Sequence, residues 1–434
     1  YPRRGGQSAL VTIELINTGS ELLLGRTLNT HLQWLGRRFA DMGHIVSRQV
    51  CVPDTGPAIE QAVRESLTRA DLMLVTGGLG PTSDDLTREL IARLLARPLR
   101  EDPVVLEQLR QFFAQRNRPM PERNRVQALV PEGALVLANP YGTAPGLAME
   151  VRPNPFRENG QASWLMLLPG PPRELRPMFQ EIVVPLIRRV LPEPGEYVCR
   201  TLRTTGVGES ALQARIGPLL QPLVAQGLDL GYCAHSGRVD VRLAVQTAAA
   251  IDLVRTAEIV VRRELSAHLF AEGDVELESV IIQRLTERKE TLAVAESCTG
   301  GCLAHLLTNV PGASAVFLAG LVTYSNAAKQ KFLGVRATTL AAHGAVSEPV
   351  ARAMAEGVRT RNHATYGLSV TGIAGPGGGT ADKPVGTVFL ALAGPFPTVV
   401  ERNYNPTDRE TFKQVTAQQA LDLLRRHLVN DRAS

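Results

Sequence analysis

The chain alternates short apolar runs with stretches of helical spacing. Val11 to Ile16 alternates apolar and polar positions, which predicts a strand, and Asn17-Thr18-Gly19-Ser20-Glu21 breaks it before a helix over Thr27 to Met42. Ile59 to Leu67 has helical spacing, and Asp71 to Thr76 is a short, mostly apolar strand of the kind buried in a parallel sheet. That strand ends in Gly77-Gly78-Leu79-Gly80-Pro81, after which Asp84 or Asp85 is placed to cap a helix running through Leu95. Two more strand-to-turn units follow: Ala134 to Leu137 into Asn139-Pro140-Tyr141-Gly142-Thr143-Ala144-Pro145-Gly146, and Ser163 to Leu168 into Pro169-Gly170-Pro171-Pro172. Strands alternating with helices predict an α/β fold with an open, mostly parallel sheet. Ligands of such sheets bind outside the carboxyl ends of the strands, so these four turns are expected to converge on one edge.

A helix over Pro177 to Val190 and the proline-bearing Leu191-Pro192-Glu193-Pro194-Gly195 close this first domain, expected over residues 8–180. A small α+β module over 196–271 follows, with strands Val198 to Thr205 and Arg238 to Val245 and helices Ser210 to Leu220 and Ile251 to Leu265. Its Thr205-Gly206-Val207-Gly208 is similar to the turn of RNA-binding KH modules but lacks the Gly-x-x-Gly spacing, so the module reads as a spacer or packing domain. After Glu272-Gly273-Asp274 a third domain over 274–430 opens with a helix (Val275 to Arg288) and a strand (Thr291 to Ala295). Strands Tyr366 to Val370 and Val385 to Ala393 bracket a glycine-rich loop from Thr371 to Gly379, and a helix from Asp408 to Leu428 ends the pattern. Three domains suit 434 residues, too many for one ordinary core.

Composition adds a few limits. No apolar run approaches the roughly 18 residues of a membrane span, and no charged-then-apolar leader precedes the first strand. Five scattered cysteines do not form a disulfide framework and fit a reducing cytoplasm. Cys298 and Cys302, four apart on a helix, read as small hydrophobes rather than a metal pair. A net charge of +5 over this length allows anionic small molecules, and no basic block calls for nucleic acid. Of 47 basic residues only five are lysine: Lys289, Lys329, Lys331, Lys383 and Lys413. Lysine loses its proton when desolvated, whereas arginine does not. Lys329 and Lys383 adjoin glycine- and hydroxyl-rich motifs, while Lys331 and Lys413 read as surface residues.

The chemistry concentrates in two places. In the first domain, strand, glycine turn and helix start make an anion site from free N–H groups and the helix dipole. Its glycine spacing matches neither the dinucleotide fingerprint nor the Walker loop. In the last domain Ala295-Glu296-Ser297-Cys298-Thr299-Gly300-Gly301 gathers hydroxyls and glycines after a strand, followed by Gly312-Ala313-Ser314 and Tyr324-Ser325-Asn326-Ala327-Ala328-Lys329. A serine nucleophile needs a base, for which His343 and Lys329 are both candidates, and Cys298 as nucleophile is a third route. The scarcity of lysine favours Lys329. Arg409 suits an anion clamp, and Thr371 with the following glycines suits close approach of backbone to a ligand.

Taken together, the motifs resemble those of the CinA family. Gly19-Ser20-Glu21-Leu22-Leu23-Leu24-Gly25, Gly77-Gly78-Leu79-Gly80-Pro81-Thr82-x-Asp84-Asp85-x-Thr87, Asn139-x-x-Gly142-Thr143-Ala144-Pro145-Gly146 and Pro169-Gly170-Pro171-Pro172 resemble the family's N-terminal domain. That domain is itself similar to the molybdopterin-binding domains of molybdenum-cofactor biosynthesis. Glu296-Ser297-Cys298-Thr299-Gly300-Gly301, Thr323-Tyr324-Ser325-Asn326-x-x-Lys329, His343-Gly344-Ala345-Val346-Ser347, Thr371-Gly372-Ile373-Ala374-Gly375-Pro376 and Lys383-Pro384-Val385-Gly386-Thr387-Val388 resemble the nicotinamide-nucleotide amidase domain.

The resemblance implies a cytoplasmic, homodimeric, bifunctional nucleotide hydrolase of pyridine-nucleotide salvage. It implies an amidase without cofactor that converts nicotinamide mononucleotide and water to nicotinic acid mononucleotide and ammonia. Ser314 is then the nucleophile, Lys329 the base, Tyr324 a helper in proton transfer and Ser297 part of the supporting network. Thr299, Gly300, Thr371, Gly372, Gly375 and Arg409 bind substrate. The N-terminal domain is implied to cleave ADP-ribose to AMP and ribose 5-phosphate with a divalent metal, Mg or Co, together with K. Asp84 and Asp85 hold the metal there. Gly19, Ser20, Glu21, Gly77, Gly78, Gly80, Asp84, Asn139, Gly142, Thr143, Pro169 and Gly170 hold the nucleotide. Two rival readings are a front half that binds a pterin or nucleotide without turnover, and a DNA-interacting competence factor. The lack of a basic stripe opposes the second, and neither a membrane nor a specific nucleic acid is expected as a partner.

Overall fold

The computed structural model describes residues 11–192, 198–245 and 250–430, which fall into two compact units, Tyr1–Tyr197 and Val198–Ser434. Glu193, Pro194 and Gly195 of the expected linker lie outside the described residues. Among the described residues no helix is long and apolar enough to cross a membrane.

The first unit carries strands β1 (Ile13–Thr18), β2 (Val46–Val52), β3 (Leu72–Thr76), β4 (Leu99–Glu101), β5 (Leu129–Pro131), β6 (Leu135–Leu137), β7 (Gly146–Val151) and β8 (Ser163–Leu168). Six of them form a sheet in the order β2-β1-β3-β8-β7-β6. β2, β1, β3 and β8 are parallel, β7 is antiparallel to β8, and β6 is antiparallel to β7. The two reversals restore direction, so β6 ends at the same edge as β1, β3 and β8. The four polar turns therefore share one edge, as the strand pattern predicts. β3 is buried throughout and apolar up to its final Thr76, because helices cover both faces. Met73 and Val75 pack with Ile59, Val63 and Leu67, while Leu72 and Leu74 pack with Leu35, Phe39 and Phe179.

Several boundaries differ from the sequence expectation for local chemical reasons. The first long helix begins at His31, not Thr27. Asn29 donates to Asn17 Oδ1 and Cys51 Sγ and accepts from the His31 N–H, which holds the preceding residues out of the helix. The helix after the glycine turn spans Thr87–Leu94 with Leu86 at its N-cap, so neither Asp84 nor Asp85 caps it. Asp85 Oδ2 instead accepts from the N–H and Oγ1 of Thr82, closing its own turn. The helix expected over 177–190 starts at Pro172 and widens at Phe179–Val183, between Pro177 and Pro185, whose missing N–H groups interrupt the ladder.

The second unit begins with an antiparallel sheet of β9 (Val198–Thr205), β10 (Asp229–His235), β11 (Arg238–Val245) and β12 (Leu269–Glu272), in the order β10-β11-β9-β12. Helices Glu209–Ala225 and Ile251–Glu264 pack their buried leucines and valines against it. Arg203, 3% exposed, bonds Asp274 at 2.5 Å and reaches Glu276 at 3.0 Å, while Arg425 donates to Ala267 O at 2.7 Å. These bonds tie the small sheet to the domain that follows.

That domain holds β13 (Leu292–Glu296), β14 (Phe317–Val322), β15 (Tyr366–Gly372), β16 (Thr387–Ala393) and β17 (Val399–Tyr404), in the order β14-β13-β15-β16-β17. The first three are parallel and the last two antiparallel. Helices Leu277–Arg288, Cys302–Thr308 and Arg409–Asn430 cover one face. Helices Asn326–Leu333, Ala337–His343 and Glu348–Arg361 cover the other. The carboxyl ends of β13, β14 and β15 thus open together on one edge.

Candidate active site

β13 ends in Glu296, whose fully buried carboxylate accepts from the N–H groups of Gly301 at 2.9 Å, Leu303 at 3.1 Å and Ala304 at 2.8 Å. Those are the first donors of the next helix, so its start is already satisfied from within the chain. Bending back over its own helix, the loop takes a left-handed backbone at Gly300 (φ +61) and Gly301 (φ +99).

Ser297 follows Glu296 and is fixed by its N–H, which donates to Val370 O of β15 at 3.0 Å. Its Oγ accepts from Lys329 Nζ at 2.9 Å. Lys329 lies on the helix Asn326–Leu333, which Ser325 caps by accepting from the Ala328 N–H at 3.1 Å. Only 1% of Lys329 is exposed, and its Nζ also donates to Thr323 O at 2.7 Å and Tyr324 O at 3.5 Å. Burial pushes its pKa below the ordinary lysine value. The scarce lysine therefore meets a serine hydroxyl where burial disfavours its charged form.

The hydroxyl it meets is not the one the resemblance implied. Ser314 sits on the exposed turn Ala313–Ala315, before β14 begins, whereas Tyr324 and Lys329 follow its end. At about 3.3 Å per residue, β14 and its flanks separate Ser314 from Thr323 by roughly 20 Å. Ser297, not Ser314, is the hydroxyl hydrogen-bonded to Lys329 Nζ.

The other expected residues group around this pair unevenly. Arg409 donates to Tyr324 Oη at 2.9 Å and to Gly375 O at 2.8 Å, linking the glycine-rich loop to the mouth of the site. Thr299 is fully buried, and its Oγ1 has no hydrogen-bond partner among the described residues. Thr371 Oγ1 is occupied, donating to Ala345 O at 2.8 Å. At Gly372 a Cβ would stand 2.8 Å from Thr387 O, and at Gly375 it would stand 2.6 Å from Val385 Cγ1. These two glycines allow close packing of the chain on itself.

The rival nucleophile and base fare differently. Cys298 is 6% exposed, and burial pushes its thiol up to about 12, so it carries no thiolate at neutral pH. His343 is exposed, and its carbonyl accepts from Lys383 Nζ at 2.9 Å. Lys413, read from the sequence as a surface residue, is partly buried on the last helix. It stands one helical turn beyond Arg409, and its Nζ lies 3.9 Å from where a Cβ of Gly300 would be.

In the first unit the turns come together as a tightly packed rim. A Cβ on Gly77 would lie 2.5 Å from Thr18 Oγ1, on Gly78 2.1 Å from Thr87 Oγ1, and on Gly80 2.3 Å from Asp85 Oδ2. Gly170 packs on Gly77, and His31 Nε2 bonds Gly170 O. Pro169 is buried beside Gly170. Asn139 donates to Ala144 O at 2.8 Å and to Glu174 Oε2 at 2.9 Å, and Gly142 passes directly over Glu174. Thr143 follows, half-buried. Ser20 and Asp54 exchange bonds, the Ser20 N–H donating to Asp54 Oδ2 and the Asp54 N–H to Ser20 Oγ, while Gly19 N–H donates to Val52 O and Glu21 is exposed. Glu174 and His31, which pattern reading missed, are structural members of this rim.

Among the described residues no group of three or more His, Cys, Asp or Glu side chains could hold a metal ion. Asp84 is fully exposed and held below the usual carboxylate range by its bond to Thr82. Asp85 beside it is engaged within its own turn, its Oδ2 accepting from the N–H and Oγ1 of Thr82.

Three family models match in order along the chain. A probable molybdopterin binding domain matches residues 14–189, the damage-inducible protein CinA KH domain residues 199–271, and the CinA C-terminal domain residues 274–428. A "CinA-like protein" of Akkermansia muciniphila is 44% identical over 95% of this chain and 96% of its own length. A "Putative competence-damage inducible protein" of Moorella thermoacetica is 44% identical over 96% of this chain and 98% of its own. Among solved structures, competence/damage inducible protein CihA from Agrobacterium tumefaciens is 42% identical, over 35% of this chain and 93% of its own, with a TM-score of 0.34.

Proposed function

The chain belongs to the CinA family, and on that premise we propose that its last domain is a serine/lysine amidohydrolase acting on nicotinamide mononucleotide. The observation that carries this reading is the 2.9 Å bond between Lys329 Nζ and Ser297 Oγ, with the lysine buried and its pKa lowered.

Neutral Lys329 takes the Ser297 proton as Oγ attacks the carboxamide carbon. The carbonyl π bond opens to an oxyanion, which the unpaired Thr299 hydroxyl and backbone N–H groups stabilise. Lys329 returns the proton to the departing amide nitrogen, ammonia leaves, and Ser297 is left as an ester. Water, deprotonated by Lys329, then hydrolyses that ester to nicotinic acid mononucleotide and free serine. Arg409, braced by Tyr324 and Gly375, and Lys413 beside Gly300 supply positive charge for the substrate's phosphate.

In the first domain, we propose that the rim of glycine turns binds a nucleotide diphosphate of the ADP-ribose type. Asp84 and Asp85 would hold a divalent cation that neutralises the pyrophosphate charge. The convergence of four turns on one sheet edge supports this, and it equally suits a binding module without turnover.

The deciding experiment is ammonia release from nicotinamide mononucleotide by the full chain, Ser297→Ala and Lys329→Met. Both variants are expected to lose turnover, and a Ser297→Ala chain with the wild-type rate removes Ser297 as nucleophile. In parallel, AMP formation from ADP-ribose and Mg is measured with and without Asp85→Ala. Binding without AMP formation by the wild type would leave the front half a binding module.

A further inference from the structure

We propose that Arg88 is a positioning residue for the first domain's anion site: from behind the glycine turn, its guanidinium holds the Leu79 carbonyl inward and keeps a positive charge beneath the bound diphosphate. This rests on the reading of that rim as a nucleotide-diphosphate site. Arg88 is 2% exposed. Among the described residues its Nη1 donates only to Leu79 O, at 3.4 Å, and its Nε has no partner. No carboxylate is bonded to it; Asp85 and Glu89 act on it through space, and burial still pushes its pKa below the ordinary arginine value. The preceding residue, Thr87, is fully buried, and its Oγ1 has no partner among the described residues either. Native interiors leave few such donors bare, and a buried charge without a bonded counter-charge costs stability. Two bare donors in consecutive residues point to a role other than stability.

Both residues lie behind the turn that follows β3. The Thr87 N–H donates to Gly78 O at 3.1 Å. Gln127, fully buried, donates to the same Leu79 O as Arg88, also at 3.4 Å, and its own Oε1 accepts from Asn124 Nδ2 at 2.9 Å. Two consecutive carbonyls of the turn are thus claimed from the protein side. In a trans peptide the C=O of one residue and the N–H of the next point in opposite directions. The N–H groups of Leu79 and Gly80 therefore point away from Thr87 and Arg88, to the open side of the turn, and neither donates to another group among the described residues. Successive N–H groups turned outward make an anion-binding concavity. A fixed cation behind it adds attraction without occupying the site. Arginine suits that position because it stays charged when desolvated.

The test uses the full chain with Arg88→Met, which keeps side-chain length and removes the charge, and Arg88→Gln as a second variant in case the first does not fold. Calorimetric titration with ADP-ribose and Mg is expected to show Kd raised about tenfold or more in the variant. Its urea midpoint is expected to hold or rise, because a buried charge without a bonded partner has been replaced by an apolar or neutral group. Hydrogen exchange supplies the readout that a structural role would not move. ADP-ribose is expected to slow exchange over residues 77–82 in the wild type, and at the same concentration to leave it unslowed in the variant. A smaller change in Kd, or protection of 77–82 equal to wild type, overturns the role of Arg88 and leaves the nucleotide-diphosphate reading standing. Lost affinity together with a lowered urea midpoint in both variants makes Arg88 a structural residue and also overturns the proposal. A wild type that does not bind ADP-ribose removes the front-half reading, and the role of Arg88 with it.

Discussion

Replacing Lys329 by methionine separates its catalytic from its structural role. Methionine keeps the length of the side chain and removes Nζ. Three oxygens then lose a donor: Ser297 Oγ, Thr323 O and Tyr324 O, bonded at 2.9, 2.7 and 3.5 Å. A buried acceptor left unpaired costs about 1–3 kcal/mol, and the two shorter bonds are the ones that matter. Against this, an amine at 1% exposure no longer has to be desolvated, a saving of comparable size. Net stability is expected to change by less than about 2 kcal/mol by urea unfolding. Turnover behaves differently, since losing a general base lowers kcat/KM by about 10²–10⁴-fold, or roughly 3–5 kcal/mol of barrier. The pH dependence gives a second readout. Because burial lowers the folded pKa of Lys329, kcat/KM of the wild type rises as pH passes upward through that lowered value. In the interval between it and the ordinary lysine pKa the unfolded chain binds more protons, so folding stability also rises with pH there. Lys329→Met is expected to lose both rises. A variant that keeps kcat/KM within tenfold of wild type, with the alkaline rise intact, refutes the assignment of Lys329 as base.

Four further outcomes follow from contacts in the two units. Thr299→Val removes a buried, unpaired hydroxyl, so stability holds or gains about 1 kcal/mol while kcat falls roughly 10²-fold; unchanged turnover would exclude Thr299 as an oxyanion donor. Cys298→Ala leaves ammonia release within about twofold and costs about 1 kcal/mol of stability, since the thiol sits near pKa 12 and serves packing. Gly142→Ala puts a Cβ 1.9 Å from Glu174 Oε2 and displaces the carboxylate from Asn139, for about 1–3 kcal/mol by urea unfolding; a neutral result would show that the rim yields. Lys413→Arg keeps KM for nicotinamide mononucleotide within about threefold and Lys413→Ala raises it about tenfold, because a fixed positive charge beside Gly300 is what the position supplies.

The sheet edges were legible in the sequence because they rest on local pattern. The apolar run Leu72–Thr76 is buried throughout, and it marks the centre of its sheet as the pattern requires. What escaped was set by tertiary context. Gly146–Val151 follows a glycine turn without alternating positions and is visible as a strand only through its antiparallel bonds to β6 and β8. Asp84-Asp85 before a helix has the spelling of a cap, but Thr82 competes for Asp85 at shorter range and wins. Glu296 is named from the sequence only as part of its motif, and its carboxylate holds three backbone donors that the chain itself would otherwise leave bare.

The lysines show why residue economy informs where motif spelling misleads. Lys329 is buried on a serine, Lys383 bonds His343 O, and Lys413 stands over Gly300. Of the three, only Lys329 is buried on a hydroxyl, and burial lowers its pKa. Lys383 and Lys413 are each only partly buried, so burial separates Lys329 from the other two. Burial also separates the serines: Ser297 is 9% exposed and bonded to the lysine, whereas Ser314 is exposed at the far end of an edge strand. Order along the chain places Ser314 nearer Lys329 than Ser297 is. A parallel strand reverses that ranking, because its carboxyl end meets the carboxyl end of its neighbour, and Glu296 lies beside Val322 while Leu292 lies beside Phe317. The residue closest in sequence is therefore carried away by the length of one strand.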